Sequence, residues 1–245
     1  MTDLQRAATL LRQARSLMAL TGAGMSAESG VPTFRDARTG LWAQFDPYAL
    51  ASPEGFRADP ELVWNWYAWR RELIAKARPN AGHLALARAQ SDGRFERFVL
   101  ATQNVDGLHA AAGSEGVLEL HGNILATHCF NGCGTRFTSG AALPAGTPPR
   151  CRNCGGWLRP SVVWFGEGLD LAVLGAAQQA VRTCAVMLVI GTSGLVHPAA
   201  GLPSLARGAG AKVIVVNPES TELDDLADVC VRAAAAKAVP ELLGL

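Results

Sequence analysis

Apolar residues cluster in short runs that end in small or polar residues. "SLMALTG" (16–22), "FVLATQN" (98–104), "AVMLVIGTS" (185–193) and "KVIVVN" (212–217) each have the length and apolar character of a strand buried on both faces. Between them the apolar period changes to that of a helix, as in "LDLAVLGAAQQAVRT" (169–183). The first twenty residues read as an amphipathic helix running into the first strand, and "VRAAAAKAVPELLGL" as a loop followed by a short helix. Strands alternating with helices predict an α/β fold: a Rossmann-like parallel sheet with helices on both faces. Two stretches break the alternation. Residues 37–78 are rich in aromatics and end in the helical "PELVWNWYAWRRELIAKA"; residues 127–159 are rich in Gly and Pro and hold four cysteines. Both are expected to be insertions that build a smaller domain. The large domain would then comprise 1–36, 79–126 and 160–245.

Composition narrows the class. The chain of 245 residues is 49% hydrophobic and 18% charged, enough for a sizeable core and unlike a disordered chain. A formal net charge of +1 gives no electrostatic footprint for nucleic acid or an anionic membrane, and no apolar run approaches the roughly 20 residues of a membrane span. The motif starting at Thr21 is read as leaving no room for a cleaved leader, so a cytoplasmic location is expected, and a monomer with it.

Four of the six cysteines form two pairs, Cys129/Cys133 and Cys151/Cys154, separated by seventeen residues. In a reducing compartment this spacing favours one tetrahedral Zn²⁺ per chain over disulfides. Four protein thiolates leave no open coordination position, so the metal is expected to hold the small domain and not to catalyse. Cys184 and Cys230 lie in apolar contexts and read as buried structural residues.

Ligands of parallel sheets bind at the carboxyl ends of the strands. Here those ends read Gly22-Ala23-Gly24, Gln103-Asn104, Gly191-Thr192-Ser193 and Asn217-Pro218-Glu219. Gly22 and Gly24, with Ala27, match the glycine pattern that lets a backbone approach a pyrophosphate, although a tight turn with no ligand has the same pattern. The chain then runs into "GVPTFRDARTGLW", and not into the second strand and acid of a dehydrogenase, so Phe34 and Arg35 are candidates to face the site. His121 in "LELHGN" is either a core histidine satisfied by backbone or a general base. Asp106 either joins Gln103 and Asn104 in the site or caps the helix "GLHAAAG". His109 and His128 read as structural, with His128 an alternative metal ligand beside Cys129. Tyr67 and Arg70, three apart on a helix, share a face; by themselves they fit an ordinary amphipathic helix with a core tyrosine and a solvated arginine.

Taken together, "GAGMSAESGVPTFRD", "TQNVDGLH", "ELHGN", the two cysteine pairs, "RPSVVWFGE", "GTS" and "VNPE" occur in the order found in sirtuins, the NAD-dependent protein-lysine deacylases. The resemblance runs from about Thr21 to about Pro240, with a C-x3-C first pair where the family more often has C-x2-C. It implies that an acyl-lysine oxygen attacks the nicotinamide ribose of NAD, and that free lysine and O-acyl-ADP-ribose result. His121 would be the general base, with Asn104 and Asp106 beside it. Phe34 would shield the ribose and Arg35 pair with phosphate. Gly22, Ala23, Gly24, Gln103, Gly191, Thr192, Ser193, Asn217, Pro218, Glu219 and the backbone near Ala235 would line the rest of the cofactor site. Val162, Phe165 and Gly166, in "VVWFGEGL", would pair with an extended substrate peptide. Sirtuins that remove succinyl and malonyl groups carry a Y-x-x-R pair, which Tyr67 and Arg70 match, with a small residue upstream that Ala51 matches. The implied activity is therefore deacylation of acidic acyl groups, with acetyl groups also accepted. A mono-ADP-ribosyltransferase and a silent NAD-binding sensor on the same scaffold are the competing expectations.

Overall fold

The computed structural model describes residues 1–32, 44–138 and 145–245. Helix α1 (Asp3–Gln13) starts in a reciprocal cap between Thr2 and Gln5 and leads into β1 (Ser16–Thr21). Two single 3₁₀ turns follow, Ala23–Met25 and Ala27–Ser29. Helices α2 (Pro47–Leu50), α3 (Pro53–Ala58) and α4 (Pro60–Lys76) each begin with an Asp or Ser cap and a proline in the first turn, where no backbone donor is needed. Then come α5 (Ala81–Ser91), β2 (Arg97–Thr102), α6 (Leu108–Ala111), β3 (Leu118–Glu119), β4 (Gly122–Cys129), β5 (Arg136–Thr138), β6 (Leu158–Val162), α7 (Leu171–Thr183), β7 (Val186–Ile190), α8 (Leu202–Gly208), β8 (Lys212–Val216), β9 (Val229–Val231) and α9 (Ala235–Leu243).

Six strands form one parallel sheet in the order β3-β2-β1-β7-β8-β9. Its side chains alternate between two cores. Leu17, Ala19, Leu188, Ile190, Ile214 and Val216 pack with α1, α5 and α9; Met18, Leu20, Met187, Val189, Val213 and Val215 pack with α7 and α8. Burial on both faces explains why these strands read as unbroken apolar runs. The connections leave β1 towards β2 on one side and β7 towards β8 on the other, so the switch point of the sheet lies between β1 and β7.

A second, antiparallel sheet has the order β5-β4-β6 and carries the four cysteines at its end. It shares a third core with α2–α4, built around Leu50, Phe56, Trp66, Tyr67, Ile124, Val162 and Trp164. Strand β4 begins at Gly122 and runs through the boundary expected at residue 126, because its first residues already pair with β6. Gly122 has φ +77°, and a Cβ there would lie 2.1 Å from the Ser161 carbonyl oxygen, so only glycine allows this turn directly after His121. Strands β3, β5 and β9, of two or three residues each, were too short to stand out as apolar runs.

Candidate functional site

Backbone touches backbone at the switch point. Gly22 N–H donates to the Ile190 carbonyl at 2.9 Å and Gly24 N–H to the Gly191 carbonyl at 2.8 Å. A Cβ on Gly22 would lie 2.7 Å from Thr192 Cβ, one on Gly24 2.7 Å from Gly191 Cα, and one on Gly191, itself at φ +61°, 2.5 Å from the Gly24 carbonyl carbon. The glycines thus serve first to bring two strand-end loops together. Thr192 joins the other ends: its hydroxyl accepts from Gln103 Nε2 at 2.9 Å and its carbonyl from Asn217 Nδ2 at 3.2 Å. Ala23, Ser193, Pro218 and Glu219 stay exposed on the rim. Ala235 begins α9, where Glu28 accepts from the Ala236 amide at 2.6 Å and fills an otherwise uncapped helix start. Phe34 and Arg35 lie outside the described residues.

His121 is half-buried two residues after β3, with Nδ1 3.0 Å from the Gln103 carbonyl oxygen. A carbonyl only accepts, so Nδ1 carries the hydrogen and the Nε2 lone pair is left for a proton. Burial pushes the pKa of His121 down, against the Gln103 carbonyl, which raises it, so the ring is a neutral base at pH 7.

Residues 103–106 are held by partners far away in the chain. Ser26 Oγ donates to Asp106 Oδ2 at 2.7 Å and accepts from Asn104 Nδ2 at 3.0 Å. The other Asp106 oxygen accepts from the Leu108 amide at 2.9 Å, so Asp106 both caps α6 and joins the polar cluster. His83 Nε2 approaches Ser26 Oγ at 3.4 Å, and the His83 and His109 rings lie 4.8 Å apart. His109 Nε2 is 2.8 Å from Thr21 Oγ1, consistent with the structural role expected for it. Burial lowers the pKa of His83 to about 4 and that of His109 to about 3, the neighbouring His83 adding to the latter. Ser26 and His83 escaped the sequence analysis: the bonds that bring them into this cluster span 57 to 80 positions, and the local one, from the Asn80 amide to His83 Nδ1 at the start of α5, gives no sign of it.

Tyr67 and Arg70 are not an exposed pair. They are only 2% and 9% exposed, respectively, and so the solvated arginine of an ordinary amphipathic helix is not what the structure contains. Burial raises the Tyr67 pKa, with the Arg70 charge acting against it; burial lowers that of Arg70, opposed by Tyr67 and Asp106. Arg70 therefore senses the polar cluster as well as the phenol. Ala51 and Val162 belong to the same core as Tyr67, and the Ala51 carbonyl accepts from the Phe165 amide at 2.9 Å. Phe165 is half exposed and stacks on Tyr48, with ring centroids 5.8 Å apart. Gly166 turns the chain there with φ +85°.

The four cysteine sulfurs all lie within 4.8 Å of one another. Cys129 and Cys154 Sγ are 3.3 Å apart and Cys133 and Cys151 Sγ 3.5 Å, too far for a disulfide and near the roughly 3.8 Å edge of a tetrahedron with Zn–S bonds of about 2.3 Å. The set fits one structural Zn²⁺. His128 is not part of it: its Nδ1 lies 2.9 Å from Ser161 Oγ, on the neighbouring strand.

Comparison with known proteins agrees with this arrangement. A Sir2 family model matches residues 22–198. A protein of Ralstonia nicotianae named NAD-dependent protein deacylase is 51% identical over 233 residues, 95% of this chain and 93% of its own. Among solved structures, a Sir2 homolog–NAD complex superposes with a TM-score of 0.92 at 42% identity, covering 98% of this chain and 92% of that one. A Sir2–p53 peptide–NAD+ complex superposes with a TM-score of 0.81 at 30% identity, over 100% and 98%.

Two outcomes follow from the site as described. Cys151→Ser should release the metal and unfold the small sheet, since a structural zinc couples binding to folding; zinc content and melting temperature measure this, and a metal-free protein with unchanged melting temperature would refute the structural role. His83 and His109 are neutral in the fold and ionise near 6.5 once unfolded. The unfolded chain therefore binds more protons below that pH, and stability is lost as pH falls from about 6.5 towards 4, by about 1.4 kcal/mol per unit for each histidine. Urea titrations at pH 7.5 and 5.5 should differ accordingly, and replacing His83 with Gln should reduce the difference by the share of one histidine.

Proposed function

We propose, from the premise that this chain belongs to the Sir2 family, that it removes acidic acyl groups, succinyl and malonyl, from protein lysines, and acetyl groups as well. NAD-dependent deacylation is the reaction of the named relatives that match nearly the whole chain, and it is the reaction of this protein. The product classes are nicotinamide, O-acyl-ADP-ribose and free lysine. Transfer of ADP-ribose to protein is the less favoured reading, because the relatives that match nearly the whole chain are named deacylases.

NAD, when bound, supplies an activated ribosyl carbon to the acyl oxygen. Gly22, Ala23, Gly24, Gly191, Thr192, Ser193, Asn217, Pro218, Glu219 and Ala235 would line its site, in a crevice where a Cβ on the three glycines has no room. Phe34 and Arg35 belong to this reading on the resemblance alone. His121 offers Nε2 as the base for ribose hydroxyls, its tautomer set by Gln103. Asn104 and Asp106 would hold the carboxamide and ribose, oriented by Ser26. Val162, Phe165 and Gly166 would present backbone to the peptide. We further read residues 1–36, 79–126 and 160–245 as the NAD-binding domain and 37–78 with 127–159 as the small domain. A cytoplasmic location fits the composition, and no described helix is long and apolar enough to cross a membrane.

The observation that supports the acyl preference is the buried guanidinium of Arg70 beside the buried phenol of Tyr67. A distal carboxylate taken out of water needs a cation and donors already in place. Acetyl-lysine makes no use of them. Arg70→Met combined with Tyr67→Phe should therefore lower kcat/KM for a succinyl peptide relative to the matched acetyl peptide by about tenfold to a hundredfold. Equal losses on the two peptides would show that the pair serves the fold or the cofactor.

A further inference from the structure

Trp164 donates its indole N–H to the Tyr67 hydroxyl oxygen at 3.0 Å, inside the core shared by α4 and β6. An indole nitrogen is a donor only. The Tyr67 oxygen must then be the acceptor of this bond, and its own hydrogen must point elsewhere. A phenol hydrogen prefers the ring plane, which offers two directions. The indole N–H takes the acceptor side of one, and the hydroxyl hydrogen takes the other. Among the described residues Trp164 is the hydrogen-bond partner of this hydroxyl, and the hydroxyl hydrogen points away from it.

The indole is itself clamped. The Arg159 guanidinium lies 3.2 Å from the Trp164 ring centroid. Arg159 is 3% exposed and forks onto Glu167, with Nη1–Oε1 at 2.5 Å and Nη2–Oε2 at 3.0 Å. Glu167 Oε2 also accepts from the Trp164 amide at 2.8 Å, and Arg159 Nη2 donates to the Val162 carbonyl at 2.7 Å. Phe56 packs on the indole, with ring centroids 5.4 Å apart. A half-buried bidentate pair of this kind resists rotation, and here it holds both the ring and the backbone of Trp164.

We infer that Trp164 is a positioning residue for acyl recognition: its N–H, steadied by the Arg159–Glu167 pair, holds the Tyr67 hydroxyl as a hydrogen-bond donor towards the acyl tail. The inference rests on the proposed acidic-acyl preference and adds the origin of its polarity. A carboxylate is an acceptor only, so it matches a hydroxyl whose donor direction is fixed in advance. The segment just beyond β6, proposed to meet the peptide, and helix α4, proposed to read the acyl tail, are thereby linked through one N–H.

The test replaces Trp164 with benzothienylalanine, which keeps the bicyclic shape and stacking and has sulfur in place of N–H. Kinetics are measured on matched succinyl and acetyl peptides, with zinc content and melting temperature as controls. KM for the succinyl peptide should rise about threefold to tenfold with little change in kcat, the scale of one lost hydrogen bond. The succinyl-to-acetyl ratio of kcat/KM should fall by the same factor. In a Tyr67→Phe background the same replacement should leave the ratio unchanged. If the benzothienyl protein does not accumulate, Trp164→Phe carries the same readouts. A wild-type protein without succinyl preference would remove the underlying reading, and this inference with it. A wild-type preference that survives the replacement, or equal losses on both peptides, would overturn the role of Trp164 and leave that reading intact.

Discussion

The contact between the loop after β1 and the loop after β7 is the constraint on which the site depends. Parallel strands splay as they leave the sheet, and a ligand crevice forms only if the loops on either side are held at a fixed separation. Here Gly22, Gly24 and Gly191 let two backbones hydrogen-bond directly, with no side chain between them. Thr192 then fixes the ends of β2 and β8 to the same point through Gln103 and Asn217. Gln103, Thr192 and Asn217 all hang from strand ends tied in this way. A single added methyl at Gly191 would push against the Gly24 carbonyl and move both loops.

The second half of the site is built on the small module, and one turn joins the two. His121 follows β3 and precedes Gly122, the first residue of β4, while its carbonyl accepts from Val163 just beyond β6. His121, β6 and the sheet that carries the cysteines are therefore one continuous piece of hydrogen-bonded backbone. Zinc at the far end of that sheet needs no place in the chemistry to matter for it. It fixes the ends of β4 and β6, whose near ends fix His121.

What was legible in the sequence was whatever repeats locally. Strands buried on both faces appear as apolar runs, a four-thiolate site as two spaced pairs, and a glycine-rich strand end as a loop that must pass close to something. What else it passes close to was not legible: the glycines suggested a phosphate or a tight turn, and the structure adds the neighbouring loop that they let approach. Strands β4 and β6 were hidden because they mix Thr, His, Asn, Arg and Pro, with an irregular register between Asn123 and Thr127. The hydrogen bonds of Ser26 with Asn104 and Asp106, and of Trp164 with Tyr67, join residues 78 to 97 positions apart. No periodicity in one sequence encodes such a pairing; it exists only once the sheet has brought the strand ends together.

The claim at the centre of this account is that His121 presents a neutral Nε2 to a deacylation site, and the product analysis of one variant tests it most directly. Protein, NAD and an acyl-lysine peptide are incubated, and the products are followed by mass spectrometry for the wild type and for His121→Tyr. The account predicts nicotinamide, O-acyl-ADP-ribose and free-lysine peptide in equal amounts from the wild type, and a rate lower by about 10² or more in the variant, the scale of a lost general base, at unchanged zinc content. Near-normal turnover in the variant, or ADP-ribose attached to protein in place of O-acyl-ADP-ribose, would contradict it.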